Sequence, residues 1–271
     1  MMRIAWTAAG IAGLLTTAPA LAQGQSHTEQ AHPDIAAQED HPHNEVDNGT
    51  DPTRVRRSLT LIFEHTDLRQ GFNSDAFELD FSQPIGPHTS ITATLNAPSI
   101  DVAGNKEIGL GDTEFVLTHI AAVNRRRGVV FKAGIIMDTA SRPELGTGNI
   151  VLEGTFIYAW FLKGGHIFAP SFEYNAGIDR DRGRDHVNTL TTDFYFVPKL
   201  KDPRTYMTID PFIGLDFEQE KQFAGLSVTL GRVIGKALGG NLQVYGKPSV
   251  FVGKDRGANW GFETGLKLIG F

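Results

Sequence analysis

From Val55 to the last residue the sequence repeats with a period of two, and no other feature restricts its possible folds so sharply. Leu59, Leu61 and Phe63 alternate with Ser58, Thr60 and Glu64; Phe77, Leu79 and Phe81 alternate with Glu78 and Asp80; Ile91, Ala93 and Leu95 alternate with Thr92, Thr94 and Asn96. Successive side chains of a strand point to opposite faces, so each segment carries one apolar and one polar row. Divided at turn residues, the segments run 55–66, 74–84, 89–98, 111–123, 128–138, 149–163, 166–178, 186–198, 205–218, 221–234, 241–252 and 258–271. Each approximates the roughly ten residues of a tilted membrane strand. The expected fold class is all-β: an antiparallel transmembrane β-barrel of about 12 strands, with short periplasmic turns and longer extracellular loops.

The region before Val55 has a different character. Met1-Met2-Arg3 gives a positive start, Ile4 to Leu15 an apolar run too short to span a bilayer as a helix, and Ala20-Leu21-Ala22 a small-x-small pattern. Residues 1–22 read as a cleaved signal peptide. Residues 23–54 are polar and acidic, carry His27, His32, His41 and His43, and show almost no apolar periodicity. Such a stretch buries too little to offset its ordering entropy and reads as a disordered, His-rich periplasmic tail. Its histidines lack fixed ligand spacing, so no metal site is assigned there. Residues 55–271 then form the barrel, without cysteine and therefore without disulfides, thiol catalysis or Cys-ligated metal.

The net charge of −6 and the absence of a basic stripe interleaved with aromatics exclude a nucleic-acid binder. An even strand count puts both ends of the barrel on one side. With those ends periplasmic, the inner turns are 83–88, 124–128, 163–166, 198–204 and 235–240, and the outer loops are 67–73, 98–110, 139–148, 179–185, 219–220 and 253–257. Most outer loops are longer, as outer-membrane barrels require.

The two rows divide the chemistry. Phe156, Tyr158 and Trp160, Phe172 and Tyr174, Phe194 and Phe196, and Trp260, Phe262, Leu266 and Leu268 make the apolar row, with Tyr and Trp suited to headgroup depth. In a soluble barrel that row would face inward, and periodicity alone does not orient it. The polar row holds Glu64, Glu78, Asp80, Glu114, Glu153, Glu173, Asp193, Asp210, Asp216, Glu218 and Glu263 against Lys132, Lys247 and Lys267. Facing a lumen, these charges either interlock and fill a narrow barrel or line a watery conduit favouring cations or neutral solutes. Phe271 ends the chain as the aromatic residue by which outer-membrane barrels resemble one another as clients of the barrel-assembly machinery. It is out of phase with Phe262, Leu266 and Leu268, which a bulge near Ile269-Gly270 would reconcile.

Two loop-flanking motifs carry a family resemblance. Gly109-Leu110-Gly111-Asp112 precedes the fourth strand, and Asp138-Thr139-Ala140-Ser141-Arg142-Pro143-Glu144-Leu145-Gly146-Thr147-Gly148 follows the fifth. Together they resemble the outer-membrane transporter-like family labelled for the meta-pathway of phenol degradation, in which a Gly-x-Gly-Asp turn and a stretch ending in Leu-Gly-x-Gly recur. Asp138-Thr139-Ala140 stands where that family usually has Pro-Thr-Gly. The resemblance spans residues 55–271 and implies a barrel that helps hydrophobic or aromatic compounds cross the outer membrane. Gly109, Gly111, Gly146 and Gly148 also have a purely structural reading, since tight loops need backbone freedom, with Asp112 capping or bracing the loop beside Pro143.

One enzymatic rival needs testing, an outer-membrane phospholipase, whose twelve-stranded barrel uses a His-x-Ser pair; His88-Thr89-Ser90 has that spacing. A serine hydrolase also needs an orienting group and an oxyanion site, and His88 falls in a periplasmic turn. Carboxylates two apart, such as Glu78 and Asp80, are what any inward row produces. The sequence therefore reads as a non-enzymatic, cofactor-free outer-membrane conduit for small solutes, or else as a structural or surface-binding barrel. Its expected partners are outer-membrane lipid, lipopolysaccharide and the assembly machinery.

Overall fold

The computed structural model describes residues 47–102, 105–180 and 183–271. Among them the strands are β1 (Ser58–Leu68), β2 (Asn73–Pro84), β3 (Thr89–Val102), β4 (Asn105–Ile108), β5 (Thr113–Val123), β6 (Arg127–Met137), β7 (Asn149–Phe161), β8 (Ile167–Arg180), β9 (Asn188–Val197), β10 (Thr205–Asp216), β11 (Lys221–Ala237), β12 (Gly240–Val252) and β13 (Ala258–Ile269). All but β4 form one antiparallel ring of 12 strands, each hydrogen-bonded to its sequence neighbours, with β3 pairing to β5. β1 closes the ring against β13 from Ser58↔Ile269 to Asp67↔Trp260. Closure leaves the ring of 12 without a free strand edge, so its strands pair their backbones with one another and not with water.

The alternation decides which face meets lipid. Leu61, Phe77, Leu95, Phe172 and Leu230 point outward and are each about half exposed or more, whereas Thr60, Glu78, Thr94, Glu153 and Gln243 point inward and are buried. Apolar outside and polar inside is the inverse of a soluble barrel and the arrangement of a transmembrane one. With the exterior apolar and the barrel closed, the chain is an outer-membrane protein. No described helix is long and apolar enough to cross a membrane, and the spans are strands.

Three expectations change. The second outer loop, expected over 98–110, is a hairpin rising from the wall: β3 continues to Val102 and pairs with β4 from Ser99↔Ile108 to Val102↔Asn105. The apolar and polar residues of this stretch keep alternating, so pairing runs past the membrane band. The last strand, expected to reach residue 271, ends at Ile269 without a bulge there, and Ile269 faces inward opposite Asn241. Gly270 then takes φ 73°, a conformation open to glycine, and redirects the chain so that Phe271 lies under the Arg57 guanidinium, 5.8 Å from the ring centroid.

The third concerns the tail. Its last residues, 47–54, do not trail into the periplasm; with Val55, Arg56 and Arg57 they form a strap across the inner wall at the end of the barrel where β1 begins and β13 ends. The expected signal peptide and residues 23–46 of the tail lie outside the described residues.

Candidate functional site

Each inward row delivers side chains to one lumen because neighbouring strands share facing at paired positions. On the β12–β13 side, Lys247 Nζ lies 3.0 Å from Glu263 Oε2, both side chains little exposed. Tyr245 donates its hydroxyl to Glu263 Oε1 at 2.6 Å. On the β2–β3 side, Thr94 donates to Asp80 Oδ1 at 2.8 Å. Across the barrel, Thr155 donates to Glu153 Oε1 at 3.3 Å, Asn175 Nδ2 to Glu173 Oε1 at 3.0 Å and Ser171 to Asp193 Oδ2 at 2.9 Å. Lys132, paired in register with Thr155, stands among Glu153, Glu173, Glu114 and Asp193. Hydroxyl and amide donors thus hold many of the carboxyls in place.

Acids outnumber bases on this wall. Glu78 Oε1, Glu153 Oε2 and Asp210 Oδ1 are buried and have no hydrogen-bond partner among the described residues. A buried carboxyl oxygen is costly unless it is hydrogen-bonded, so these atoms require a hydrated lumen. Between the charges and the strap lies a cavity of about 460 Å³, lined by Asp80, Lys132, Glu173, Asp193, Lys247, Glu263 and Lys267 from the wall and by residues 48–52 and 54–56 from the strap.

Of the residues expected to face the lumen, Glu78, Asp80, Glu114, Lys132, Glu153, Glu173, Asp193, Lys247, Glu263 and Lys267 occupy inward positions of their strands. Asp216 differs. It closes β10, and its Oδ1 accepts the backbone N–H groups of Glu218 and Gln219 at 3.0 and 2.9 Å, which makes it a turn brace. Sequence reasoning missed Tyr195, Tyr206 and Tyr245, which also line the cavity. Each shares parity with an inward charge of its strand: Tyr195 with Asp193, Tyr206 with Asp210, Tyr245 with Lys247. That phase was the available signal. Tyr206 and Tyr245 each face a glycine on the next strand, Gly231 and Gly265, and lie over it. A side chain at either glycine would collide with the ring, so the glycines let large rings lie flat on the inner wall.

The strap is held by several strands at once. Asn241 and Gln243 donate side-chain N–H groups to the Asp47 carbonyl at 3.2 and 3.3 Å, and Tyr195 donates its hydroxyl to the Thr50 carbonyl at 3.2 Å. Arg56 pairs with Asp47 inside the strap. Val55 packs on an inward apolar cluster of Ile120, Val130, Ile157, Ala159 and Ala169. Thr53 is buried against Gly128.

At the opposite end the two sequence motifs meet. Asp112 Oδ1 accepts the backbone N–H groups of Thr139 and Ala140 at 3.2 and 3.1 Å, and Oδ2 accepts the N–H and hydroxyl of Thr147 at 2.6 and 3.0 Å. Gly109 approaches Ser141 and Leu145, and Gly146 passes between Ala140 and Asp112, leaving no room for a Cβ at either, while Gly111 lies close against Pro98. Gly148 adopts φ 62° beside Arg184. Pro143 opens a short 3₁₀ turn that buries Leu145. This constellation braces the third outer loop against the β3–β4 hairpin.

No His, Cys, Asp or Glu group among the described residues has the arrangement of a metal site. Ser90 is buried on an inward position, and its neighbour Thr89 holds His119 Nδ1 at 3.0 Å.

No protein-family model matches the chain, and a comparison with curated proteins found no match. Solved structures do match. An outer membrane channel from Pseudomonas putida F1 superposes with TM-score 0.63 at 11% identity, over 83% of this chain and 99% of that one. The NanC porin follows with TM-score 0.57, 8% identity and coverage of 78% and 98%, and the KdgM porin with TM-score 0.51, 13% identity and the same coverage. At such identities the likeness is one of fold: this chain is folded like outer-membrane channel and porin barrels.

Proposed function

We propose that the protein is an outer-membrane channel that passes small solutes by diffusion and catalyses no reaction. The observation that carries this reading is the charged inner wall that lines a cavity of about 460 Å³ inside the barrel. A barrel that served only as a membrane wall would gain nothing from burying carboxylates whose oxygens must be hydrated. Acid excess favours cations or neutral solutes over anions, while Tyr195, Tyr206 and Tyr245 offer flat apolar faces to a passing ring. The loop motifs at Asp112 and residues 138–148, through their resemblance to the family labelled for phenol degradation, support small aromatic solutes as the class carried. Against lipase chemistry stand the burial of Ser90 inside the barrel and the engagement of its neighbour Thr89 with His119.

Planar-bilayer recording of the purified, folded protein tests the proposal. The expected result is discrete conductance with cation preference that weakens in Glu263→Gln. A folded barrel that passes neither ions nor phenol would make it a non-conducting wall.

A further inference from the structure

The two rims of the barrel differ in charge. The five periplasmic turns, residues 85–88, 124–126, 162–166, 198–204 and 238–239, contain Arg125, Arg126, Lys163, Lys199, Lys201 and Arg204, with Asp202 as their single acid. The outer loops mix signs, as in Asp138, Glu144 and Asp185 with Arg142 and Arg184. Asp202 offsets one charge of this excess, that of Arg232, and leaves the other cations of the rim without an acid in these turns. Its carboxyl accepts the Arg204 backbone N–H and the Thr205 hydroxyl, both at 3.0 Å, and lies 2.8 Å from Arg232 Nη1. Those contacts, the Arg204 N–H first, hold it below the usual carboxylate range.

A second observation places cations on the lipid side of the same rim. Arg127 pairs in register with the outward Trp160, and its Nη1 donates to the Tyr158 hydroxyl at 3.3 Å. The Tyr158 and Trp160 rings lie 4.5 Å apart. Arg232 stands between the exposed Leu230 and Ile234 on the outward row of β11 and is itself 55% exposed. Arg57 lies over Phe271 and donates to Gln83. A guanidinium at the end of a lipid-facing row, beside Tyr and Trp, sits at headgroup depth, its stem against acyl chains and its charge among phosphates.

We propose that this collar is a binding surface for anionic phospholipid headgroups of the periplasmic leaflet, with Arg126 and Arg127 gripping phosphate at one point of the wall and Arg232 at another. The planar fork of arginine matches phosphate oxygens two at a time. A lipid fits better than an acidic periplasmic protein because the basic groups follow the rim from the β5–β6 turn to the β9–β10 turn, with Arg232 and Arg57 beyond. Lipid surrounds the barrel in the same way, whereas a protein would engage one face. The inference depends on the barrel crossing the membrane and not on conduction.

The test reconstitutes the full chain in vesicles of phosphatidylcholine mixed equally with phosphatidylglycerol and measures which lipid the extracted protein retains. Wild type is expected to enrich phosphatidylglycerol. Arg126→Gln/Arg127→Gln/Arg232→Gln is expected to lose that preference by about five-fold for each cation removed. Heat-dependent gel mobility reports whether the variant is folded; if it is not, Arg126→Gln alone, at an exposed turn, is expected to show a single such step. Equal retention of both lipids by wild type, or undiminished preference in the folded variant, overturns the proposal. Full competition by inorganic phosphate at the same phosphate concentration also overturns it, in favour of a free anion. Binding of soluble polyglutamate without phosphatidylglycerol enrichment overturns it in favour of an acidic polypeptide.

Discussion

The extracellular and periplasmic ends of the barrel both hold chain that is not part of the wall, but the chemistry differs. Outside, one carboxylate, Asp112, gathers four hydrogen bonds from residues 139–147. Inside the periplasmic mouth, the strap rests on many separate contacts: carbonyls of Asp47 and Thr50, a methyl fit at Thr53 and the packing of Val55. A hub fails as a unit when its centre is removed, because every donor it held loses its partner together. A distributed set of neutral bonds loses one increment at a time. The outer clasp is therefore expected to fail as a unit, and the inner strap to loosen one contact at a time.

Removing the hub gives the largest effect. Asp112→Ala leaves backbone donors of Thr139, Ala140 and Thr147 without their acceptor and is expected to cost roughly 2–4 kcal/mol, the scale of charge-assisted bonds plus stranded donors. Urea titration of the folded, fast-migrating form should show a lowered midpoint, and protease should cut between residues 139 and 148. Asp112→Asn, which keeps one acceptor, should fall between. An unchanged midpoint in the alanine variant would erase the distinction between the ends.

The same contrast governs what could be read from sequence. The ring of strands was legible because a membrane barrel imposes period two over its whole length, and Leu61 or Phe77 have no alternative to lipid once Thr60 and Glu78 face the lumen. Asp112 was legible as a brace because an ionised side chain beside two glycines signals local backbone capture. The strap was not: its acceptors are the main-chain carbonyls of Asp47 and Thr50, which every sequence possesses, and its composition is that of a solvated tail. The β3–β4 hairpin was hidden by Pro98, which suggests a loop, although pairing continues through it from Ala76. Asp216 matched the inward phase, yet at a strand end the nearby turn N–H groups compete for it more effectively than the lumen does.

Displacing the strap without cutting it gives the next effect. A side chain at Gly128 would occupy the position of the Thr53 methyl. Gly128→Val is thus expected to push the strap from the wall and raise single-channel conductance about two-fold or more by opening lumen cross-section, with little change in the urea midpoint. Tyr195→Phe, which removes only the bond to the Thr50 carbonyl, should act in the same direction and less. Should Gly128→Val lower stability as much as Asp112→Ala and leave conductance alone, the strap would be a structural plug equivalent to the clasp.

The smallest effect lies at the two ends of β11, where the barrel itself tests whether the ends differ in backbone strain. Glu220 in the outer turn has φ 51° and Leu238 in the periplasmic turn has φ 48°, conformations in which a side chain larger than Asn is unfavourable. Asn in either place should stabilise by a few tenths to about 1 kcal/mol, since it tolerates positive φ, and at Leu238 it also suits a two-residue hairpin turn. Leu238 is 82% exposed, so Leu238→Asn loses almost no packing. Glu220 adjoins Lys221, whose Nζ pairs with Gln219 in the same turn, and its carboxylate lies beside that ammonium in sequence. Replacing it removes a charge as well as strain. Equal tightening at both positions, measured as urea midpoints of the two single variants, would show that backbone strain alone sets the gain. A larger gain at Leu238 would show that the outer turn, like the outer clasp, holds its conformation through charge.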